Sequence, residues 1–339
     1  MQTLPMPPAA IIVSAAGYSY HMNMDDKIRI GVSACLLGRK VRYDAGHKLD
    51  RFLTDTLGQY VEWVPVCPEV ESGLPVPREA MRLVAYPEGL RLVAKHTGID
   101  HTERMLSWVD KKLKQLERMD LCGFVFKSKS PSSGMTGVKI YTPSGMPNRK
   151  GSGMFAGIFM RRFPLVPVED EERLHDPALR ENFIERLFVL KRWQELRRKG
   201  LRINKIIEFH IDHKLLILAH SPKHYQMLGR LVAQIKQHKP DQFALEYITT
   251  MMEGLRLIAT VKKNTNVLRH ILGYLKKQLP VDERQEVLEI IDHYHKGQLP
   301  LIVPIVLINH FARKYDVPYL TRQYYLHPHP LELMLRNHA

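Results

Sequence analysis

Residues 28–38 have the sequence IRIGVSACLLG, and they decide the fold of the N-terminal half. The first six of them form a short run rich in β-branched residues, which predicts a strand. Similar runs occur at residues 61–66 (VEWVPV) and 123–126 (GFVF). Helical periodicity separates the three runs, at residues 48–59 and 101–120. Strands that alternate with helices predict an α/β domain built on a mainly parallel, Rossmann-like sheet.

The character of the sequence changes after Arg162. Residues 163–168 (FPLVPV) are interrupted by prolines, and the acidic run at residues 169–172 (EDEE) is interpreted as the start of a series of long amphipathic helices. No strand pattern interrupts this series. We therefore predict two domains, an α/β domain at residues 27–162 and an all-α helical domain at residues 163–339.

The N-terminal residues 1–26 contain one short apolar stretch with no Lys or Arg before it. A secretory signal needs a positively charged start and a longer apolar core, so we interpret these residues as a disordered leader. No apolar run in the sequence approaches the ~20 residues that a membrane-spanning helix needs. With only three cysteines in the chain, these features predict a soluble cytoplasmic protein without disulfides and without a membrane partner.

The chain is strongly basic, with a formal net charge of +15 over 339 residues. An excess of this size predicts an anionic partner, either a nucleic acid or a phosphorylated small molecule. A generally basic surface that serves no particular partner is the other explanation.

Three loops follow directly after the three strands and carry the reactive side chains of the N-terminal half. The candidate residues in these loops are Cys35, Arg42, Cys67, Glu69, Arg78, Lys127, Ser130 and Ser133. Because the carboxyl ends of parallel strands lie along one edge of a sheet, the three loops should meet in space. Thiolates are natural ligands of iron–sulfur clusters, whereas a serine hydroxyl is a poor substitute.

These loops together resemble the motifs of the thiouracil desulfidase family. The matching segments are SACLLG (33–38) with VRYD (41–44), CPE (67–69) with GLPVPR (73–78), and KSKSPSSG (127–134). The resemblance covers about residues 27–160. It implies a 4Fe–4S cluster that is held by three cysteines and leaves one iron free to take sulfur from a thiolated pyrimidine.

The resemblance implies a role for each motif residue. Cys35 and Cys67 correspond to metal ligands of the cluster, and Ser133 occupies the position of the third ligand, where the family has cysteine. Glu69 and Ser130 correspond to the catalytic groups that position the substrate or move protons. The serine at position 133 is either an engineered replacement or a natural loss of a ligand, and it implies an impaired cluster site.

The chemistry of these residues is suited to hydrolysis of a C=S bond. An open iron can polarise the thiocarbonyl group, and a carboxylate such as Glu69 can activate water. Arg42, Arg78 and Lys127 are candidate substrate-binding residues for a phosphate, although each is equally plausible as a solvated side chain. We predict an iron–sulfur-dependent desulfidase of a thiolated pyrimidine nucleotide such as 4-thio-UMP. The alternative is a non-catalytic RNA- or tRNA-binding protein with a vestigial cluster site.

The third cysteine, Cys122, is not expected to replace Ser133. It precedes the strand at residues 123–126, and four strand residues span ~13 Å at about 3.3 Å each. A ligand at the start of this strand would therefore be far from ligands that follow their strands. A buried, apolar environment is the expected role of this thiol.

The C-terminal half resembles the YbgA-type domain, whose function is unknown. The matching segments are FHIDHK (209–214), LAHSP (218–222), NVLRHILGY (266–274), PLIVPI (300–305) and YLHPHPLEL (325–333). His210, His213 and His220 could share one helix face, but no fourth zinc ligand at a known spacing is evident. Polar contacts at the surface or between the domains are the favoured explanation for these histidines.

Overall fold

The structure, a computed structural model, describes residues 27–337. The predicted leader at residues 1–26 lies outside the described residues. The strands are β1 (Ile28–Ser33), β2 (Val61–Val66), β3 (Met81–Tyr86), β4 (Gly89–Ala94), β5 (Gly123–Phe126), β6 (Val138–Tyr141), β7 (Pro147–Gly151) and β8 (Val168–Asp170). The helices of the N-terminal half are α1 (Pro68–Glu71), α2 (Thr102–Glu117) and α3 (Met154–Arg162).

Helices alone follow β8. They are α4 (Pro177–Arg198), α5 (Ile203–His220), α6 (Pro222–Ala233), α7 (Pro240–Leu255), α8 (Val261–Leu275), α9 (Val281–His295), α10 (Ile302–Lys314) and α11 (Pro318–Thr321). Within residues 27–337, none of the helices is both long enough and apolar enough to cross a membrane.

Two four-stranded sheets form the α/β part. The first has the order β2–β1–β5–β8 and is parallel throughout. Its central strand β1 is buried through Ile28, Ile30 and Val32. The second sheet has the order β4–β3–β6–β7, in which only β3 and β6 are parallel. The predicted fold class, a mainly parallel Rossmann-like sheet followed by a helical region, is confirmed.

The predicted helix at residues 48–59 is right only for its second part, and that part is not a regular α-helix. The structure has a loop there, followed by a π-helical turn at Phe52–Thr56 and a 3₁₀ turn at Leu57–Gln59. The backbone N–H of Lys48 donates to the carbonyl of Cys35, and the N–H of Asp50 donates to the carbonyl of Leu36, both at 2.9 Å. These hydrogen bonds hold residues 48–50 against the loop after β1, and the helical turns begin only after them.

The acidic run was also interpreted wrongly as a helix start. Its first two residues, Glu169 and Asp170, belong to β8, which pairs with β5 at the edge of the first sheet. Glu169 is buried and pairs with Arg173 at 2.7 Å, which compensates the buried charge. A strand of three residues has no periodicity that a sequence pattern could show. The domain boundary after residue 162 remains a prediction.

Helix α4 packs against the cores of both halves. Its N-terminal part, with Phe183 and Leu187, is buried in the same apolar cluster as β1. Its C-terminal part, with Leu190 and Trp193, lies in the core of the helical region. The two halves therefore share one continuous helix rather than meeting through a flexible linker.

The C-terminal segment after α11 returns to α4 and the α/β core. Leu333 and Leu335 pack into the cluster that contains β1. The buried Arg336 guanidinium pairs with Glu181 at 2.9 Å and with Glu185 at 2.8 Å, both on α4. This buried ion cluster fixes the end of the described chain against the shared helix.

Replacing Arg336 with methionine should lower the free energy of unfolding by about 3–5 kcal/mol, because the buried Glu185 and the half-buried Glu181 carboxylates lose their shared cation. The control is Lys314→Met, which breaks an exposed pair with Glu283 and should cost at most about 1 kcal/mol. Denaturant unfolding followed by circular dichroism measures both values. Equal, small losses in the two variants would contradict a structural role for the buried cluster.

Candidate functional site

The loops after β1, β2 and β5 meet at one end of the first sheet, where they enclose a cavity of about 380 Å³. All eight candidate residues line it: Cys35, Arg42, Cys67, Glu69, Arg78, Lys127, Ser130 and Ser133. The parallel pairing of the three strands explains this convergence, because it brings their carboxyl ends to the same edge. The functional roles of the eight residues remain predictions.

Cys35 lies in a 3₁₀ turn, Ala34–Leu37, that begins where β1 ends. The turn closes at Gly38, whose φ of 82° favours glycine and whose N–H donates to the Cys35 carbonyl. Burial raises the pKa of the Cys35 thiol to about 11. The thiol is therefore protonated at neutral pH unless a bound metal displaces the proton.

Cys67 precedes α1, the short helix after β2. Its backbone N–H donates to the Glu71 carboxylate at 2.9 Å, and its thiol lies 3.5 Å from Glu69 Oε2. Burial, and then the negative charge of Glu69, raise the pKa of the Cys67 thiol to about 12. The two thiols thus have similar, largely dry environments on the same cavity.

The third loop presents Ser133 through a tight turn. The Ser133 N–H donates to the Ser130 hydroxyl at 3.1 Å, and the Gly134 N–H donates to the Ser130 carbonyl at 2.8 Å. A Cβ at position 134 would lie 2.7 Å from that carbonyl oxygen and 2.3 Å from a Val138 methyl group. Only glycine fits there, so the turn geometry that directs Ser133 depends on it.

Ser132 is a site residue that the sequence analysis missed. Its hydroxyl, which is fully buried, donates to Glu69 Oε1 at 2.5 Å and lies 3.0 Å from the Ser130 hydroxyl. The Ser133 hydroxyl lies 3.4 Å from the Ser132 hydroxyl. Ser132 therefore connects the Glu69 carboxylate to the other two serines. The signal was the Ser-Pro-Ser sequence itself, in which a turn can bring both hydroxyls together.

The Glu69 carboxylate is held from two sides. Ser132 donates to Oε1, and the Arg78 guanidinium lies 3.9 Å from Oε2. Arg78 also donates to the carbonyls of Val41 and Pro75, at 3.1 and 3.3 Å. The structure thus directs Arg78 towards Glu69 and the loop backbone, while its buried Nε has no hydrogen-bond partner among the described residues.

Glu171, which directly follows β8, is the second residue that the sequence analysis missed. Its buried carboxylate accepts hydrogen bonds from the Ser128 N–H at 2.8 Å and the Ser128 hydroxyl at 2.9 Å. It also forms an ion pair with Lys127. Glu171 therefore fixes the start of the third loop, although it does not itself line the cavity.

Replacing Glu171 with glutamine should lower the free energy of unfolding by about 1–3 kcal/mol. The reason is that one carboxylate oxygen becomes an amide NH₂, which cannot accept the hydrogen bonds that Ser128 and Lys127 now donate to Glu171. Glu172→Gln is a matched control, since Glu172 pairs at 2.8 Å with the exposed Lys129 of the same loop. That change should cost less than about 1 kcal/mol. Urea titrations of the two variants measure the difference, and a larger loss for Glu172→Gln would contradict this assignment.

The donor set of the cavity fits an iron–sulfur cluster in part. It offers two thiols and, at the third position, a serine oxygen that is a weaker ligand for iron. Cys122 does not add to the set: it is buried in the core, and its thiol donates to Gln194 Oε1 at 3.1 Å. Of the three cysteines, only Cys35 and Cys67 therefore line the cavity, and Ser133 lines it at the third ligand position that the sequence predicts.

The histidines of the helical region have separate partners. His210 Nδ1 lies 3.2 Å from the Tyr247 hydroxyl, and His213 Nδ1 donates to the Phe209 carbonyl at 2.7 Å. His220 Nε2 lies 2.9 Å from the Glu185 carboxylate. In the part of the chain that the structure describes, these three histidines do not come together as a metal-binding group.

Comparison with known proteins assigns both halves of the chain. Residues 30–171 match the family model described as 2-thiouracil desulfurase, and residues 214–330 match the model described as a protein of unknown function, DUF1722. The uncharacterised protein YbgA of Escherichia coli strain K12 is 33% identical over 153 residues, which are 45% of this chain and 90% of that protein. A solved structure described as the 4Fe-4S-dependent thiouracil desulfidase TudS is 30% identical, with 46% of this chain and 98% of that chain covered and a TM-score of 0.38.

Proposed function

We propose a function from one premise: this chain belongs to the family of YbgA and carries a 2-thiouracil desulfurase domain. The proposed function is hydrolysis of the C=S bond of a thiolated uracil nucleotide. The observation that carries the proposal is one cavity that brings together Cys35, Cys67, Glu69 and Ser133. Soft thiol ligands, a carboxylate and hydroxyls in a confined space are the groups that this reaction needs.

In this proposal Cys35 and Cys67 would hold a 4Fe–4S cluster, with Ser133 at the third ligand position. Such a cluster supplies a Lewis-acidic iron with affinity for the sulfur of the substrate. The reaction itself is non-redox: water adds its oxygen to the thiocarbonyl carbon, and sulfur leaves as hydrogen sulfide. The products are the carbonyl compound and hydrogen sulfide, and the hydrogen sulfide carries both protons of the water.

Glu69 is the group that takes a proton from the attacking water. Its carboxylate lines the cavity, and its second oxygen is bound by the Ser132 hydroxyl, which fixes its orientation. Ser130 lies next in this chain of hydroxyls and can pass a proton between Ser132 and the cavity. The Arg78 guanidinium lies 3.9 Å from the other carboxylate oxygen, Oε2.

A phosphorylated pyrimidine is the proposed substrate, because the chain has an excess of 15 positive charges and several cations line the cavity. 4-Thio-UMP, which would yield UMP, is the specific candidate. The three cysteines are free thiols, which supports the cytoplasm as the place of the reaction.

A second candidate function is RNA binding, with thiolated tRNA as the partner. It is favoured by the loop at residues 39–51, where Arg39, Lys40 and Arg51 are exposed and the Tyr43 ring is 45% exposed beside the cavity. Basic side chains around an accessible aromatic ring suit a nucleotide chain.

The visible spectrum of anaerobically purified protein distinguishes the two candidates. A brown protein that releases sulfide from 4-thio-UMP would support the desulfidase. A protein that binds no iron after anaerobic reconstitution, both with Ser133 and as the Ser133→Cys variant, but shifts thiolated tRNA in a gel, would support RNA binding and overturn the enzymatic proposal.

A further inference from the structure

Five cationic side chains line the cavity, and four of them are matched by carboxylates. The pairs are Arg42 with Asp44 (3.4 Å), Arg78 with Glu69 (3.9 Å), Lys127 with Glu171, and Lys129 with Glu172 (2.8 Å). Lys48 is the exception. Among residues 27–337, no carboxylate forms an ion pair with its ammonium group.

The backbone of Lys48 is held beside the cysteine of the first loop. Its N–H donates to the Cys35 carbonyl at 2.9 Å, and the N–H of Asp50 donates to the Leu36 carbonyl at the same distance. The Asp50 carboxylate, the nearest acid that follows in sequence, accepts instead from the Leu53 N–H at 3.1 Å. The fold thus fixes a lysine next to the candidate ligand Cys35 and directs the neighbouring acid to another partner.

We propose that Lys48 binds the phosphate group of the substrate and so makes the cavity selective for a nucleotide over a nucleoside or free base. Lys48 is an exposed residue that lines the cavity, and its unpaired ammonium loses little on meeting an anion there, whereas the paired cations would first have to leave their carboxylates. This inference rests on the proposed function, because it assumes that a pyrimidine compound enters the cavity.

The phosphate can come from two sources, the monoester of a free nucleotide or the diester of an RNA chain. Both present anionic oxygens that a lysine recognises as a point charge. Selectivity for phosphate is therefore the property that Lys48 confers, and the test has to separate the two sources.

The experiment measures the dissociation constants of UMP, uridine and an oligouridylate for the full-length protein by equilibrium dialysis. These ligands contain no sulfur to be removed, so binding is measured without turnover, and all variants are compared at the same iron content. Lys48→Gln should weaken UMP binding about tenfold and leave uridine binding unchanged, because only UMP has the charge. Lys48→Arg should retain UMP binding within about threefold of the unmodified protein. Lys111→Gln is the control, since Lys111 is exposed and does not line the cavity.

Each outcome decides between the possibilities. A tenfold loss for UMP alone assigns Lys48 to the phosphate monoester, and a loss confined to the oligouridylate assigns it to the diester. If Lys48→Gln binds UMP as the unmodified protein does, the role of Lys48 is wrong while the desulfidase proposal stands. If none of the three ligands binds the unmodified protein, the role of Lys48 is overturned, and sulfide release from 4-thio-UMP decides separately whether the desulfidase proposal stands.

Discussion

Replacing Ser133 with cysteine should raise the iron content of the anaerobically reconstituted protein to about four atoms per chain. The protein with Ser133 should hold clearly less iron, because two thiolates and a hydroxyl supply less negative charge and a weaker third bond than three thiolates. The cavity needs no rearrangement for this change, since Ser133 already lines it and its turn is fixed by Ser130 and Gly134. Iron and sulfide determination, with the visible spectrum, measures the effect.

The remaining cysteines provide the controls for this prediction. In the Ser133→Cys protein, Cys122→Ala should leave the iron content unchanged, because Cys122 is buried in the core and bonded to Gln194. Cys35→Ala or Cys67→Ala should each remove most of the iron. The ligand assignment is wrong if Cys122→Ala empties the site while Ser133→Cys adds no iron.

Replacing Glu69 with glutamine in the Ser133→Cys protein should lower kcat by about 10²–10⁴-fold, the usual contribution of a general base. Glutamine keeps the shape of the Glu69 side chain, and its amide oxygen can still accept the Ser132 hydrogen bond, but it cannot take a proton from water. The iron content should stay the same, because Glu69 contributes no thiolate. Steady-state release of sulfide from 4-thio-UMP measures kcat, and an exposed carboxylate far from the cavity, Glu88→Gln, serves as the control.

Two outcomes would contradict the role of Glu69. Unchanged kcat would show that another group activates water. Loss of iron in proportion to the loss of activity would show that Glu69 supports the cluster site, through its contact with the Cys67 thiol, rather than the proton transfer.

The elements that position the site could be predicted from the sequence. Strands β1, β2 and β5 are short runs of β-branched and aromatic residues, and each leads directly into a loop with a thiol or a hydroxyl. The parallel order of these strands then places the loops on one edge, and the structure has all eight candidate residues around one cavity.

The contacts across the chain could not be predicted in this way. Glu171 is 43 residues away from Ser128, and a single sequence has no local signal for a hydrogen bond over that separation. The loop containing Lys48 has helical periodicity, but hydrogen bonds to the Cys35 and Leu36 carbonyls override it. Strand β8 is three residues long, too short for any pattern, and depends on its pairing with β5. In each case a tertiary contact outweighs the local preference.

The most direct test of the proposed activity is the reaction of the reconstituted Ser133→Cys protein with 4-thio-UMP under anaerobic conditions. Chromatography of the nucleotide and colorimetric determination of sulfide should find one UMP and one sulfide for each 4-thio-UMP consumed, without an added reductant. A protein that holds its full complement of iron but leaves 4-thio-UMP intact, and other thiouracil compounds with it, would contradict the account.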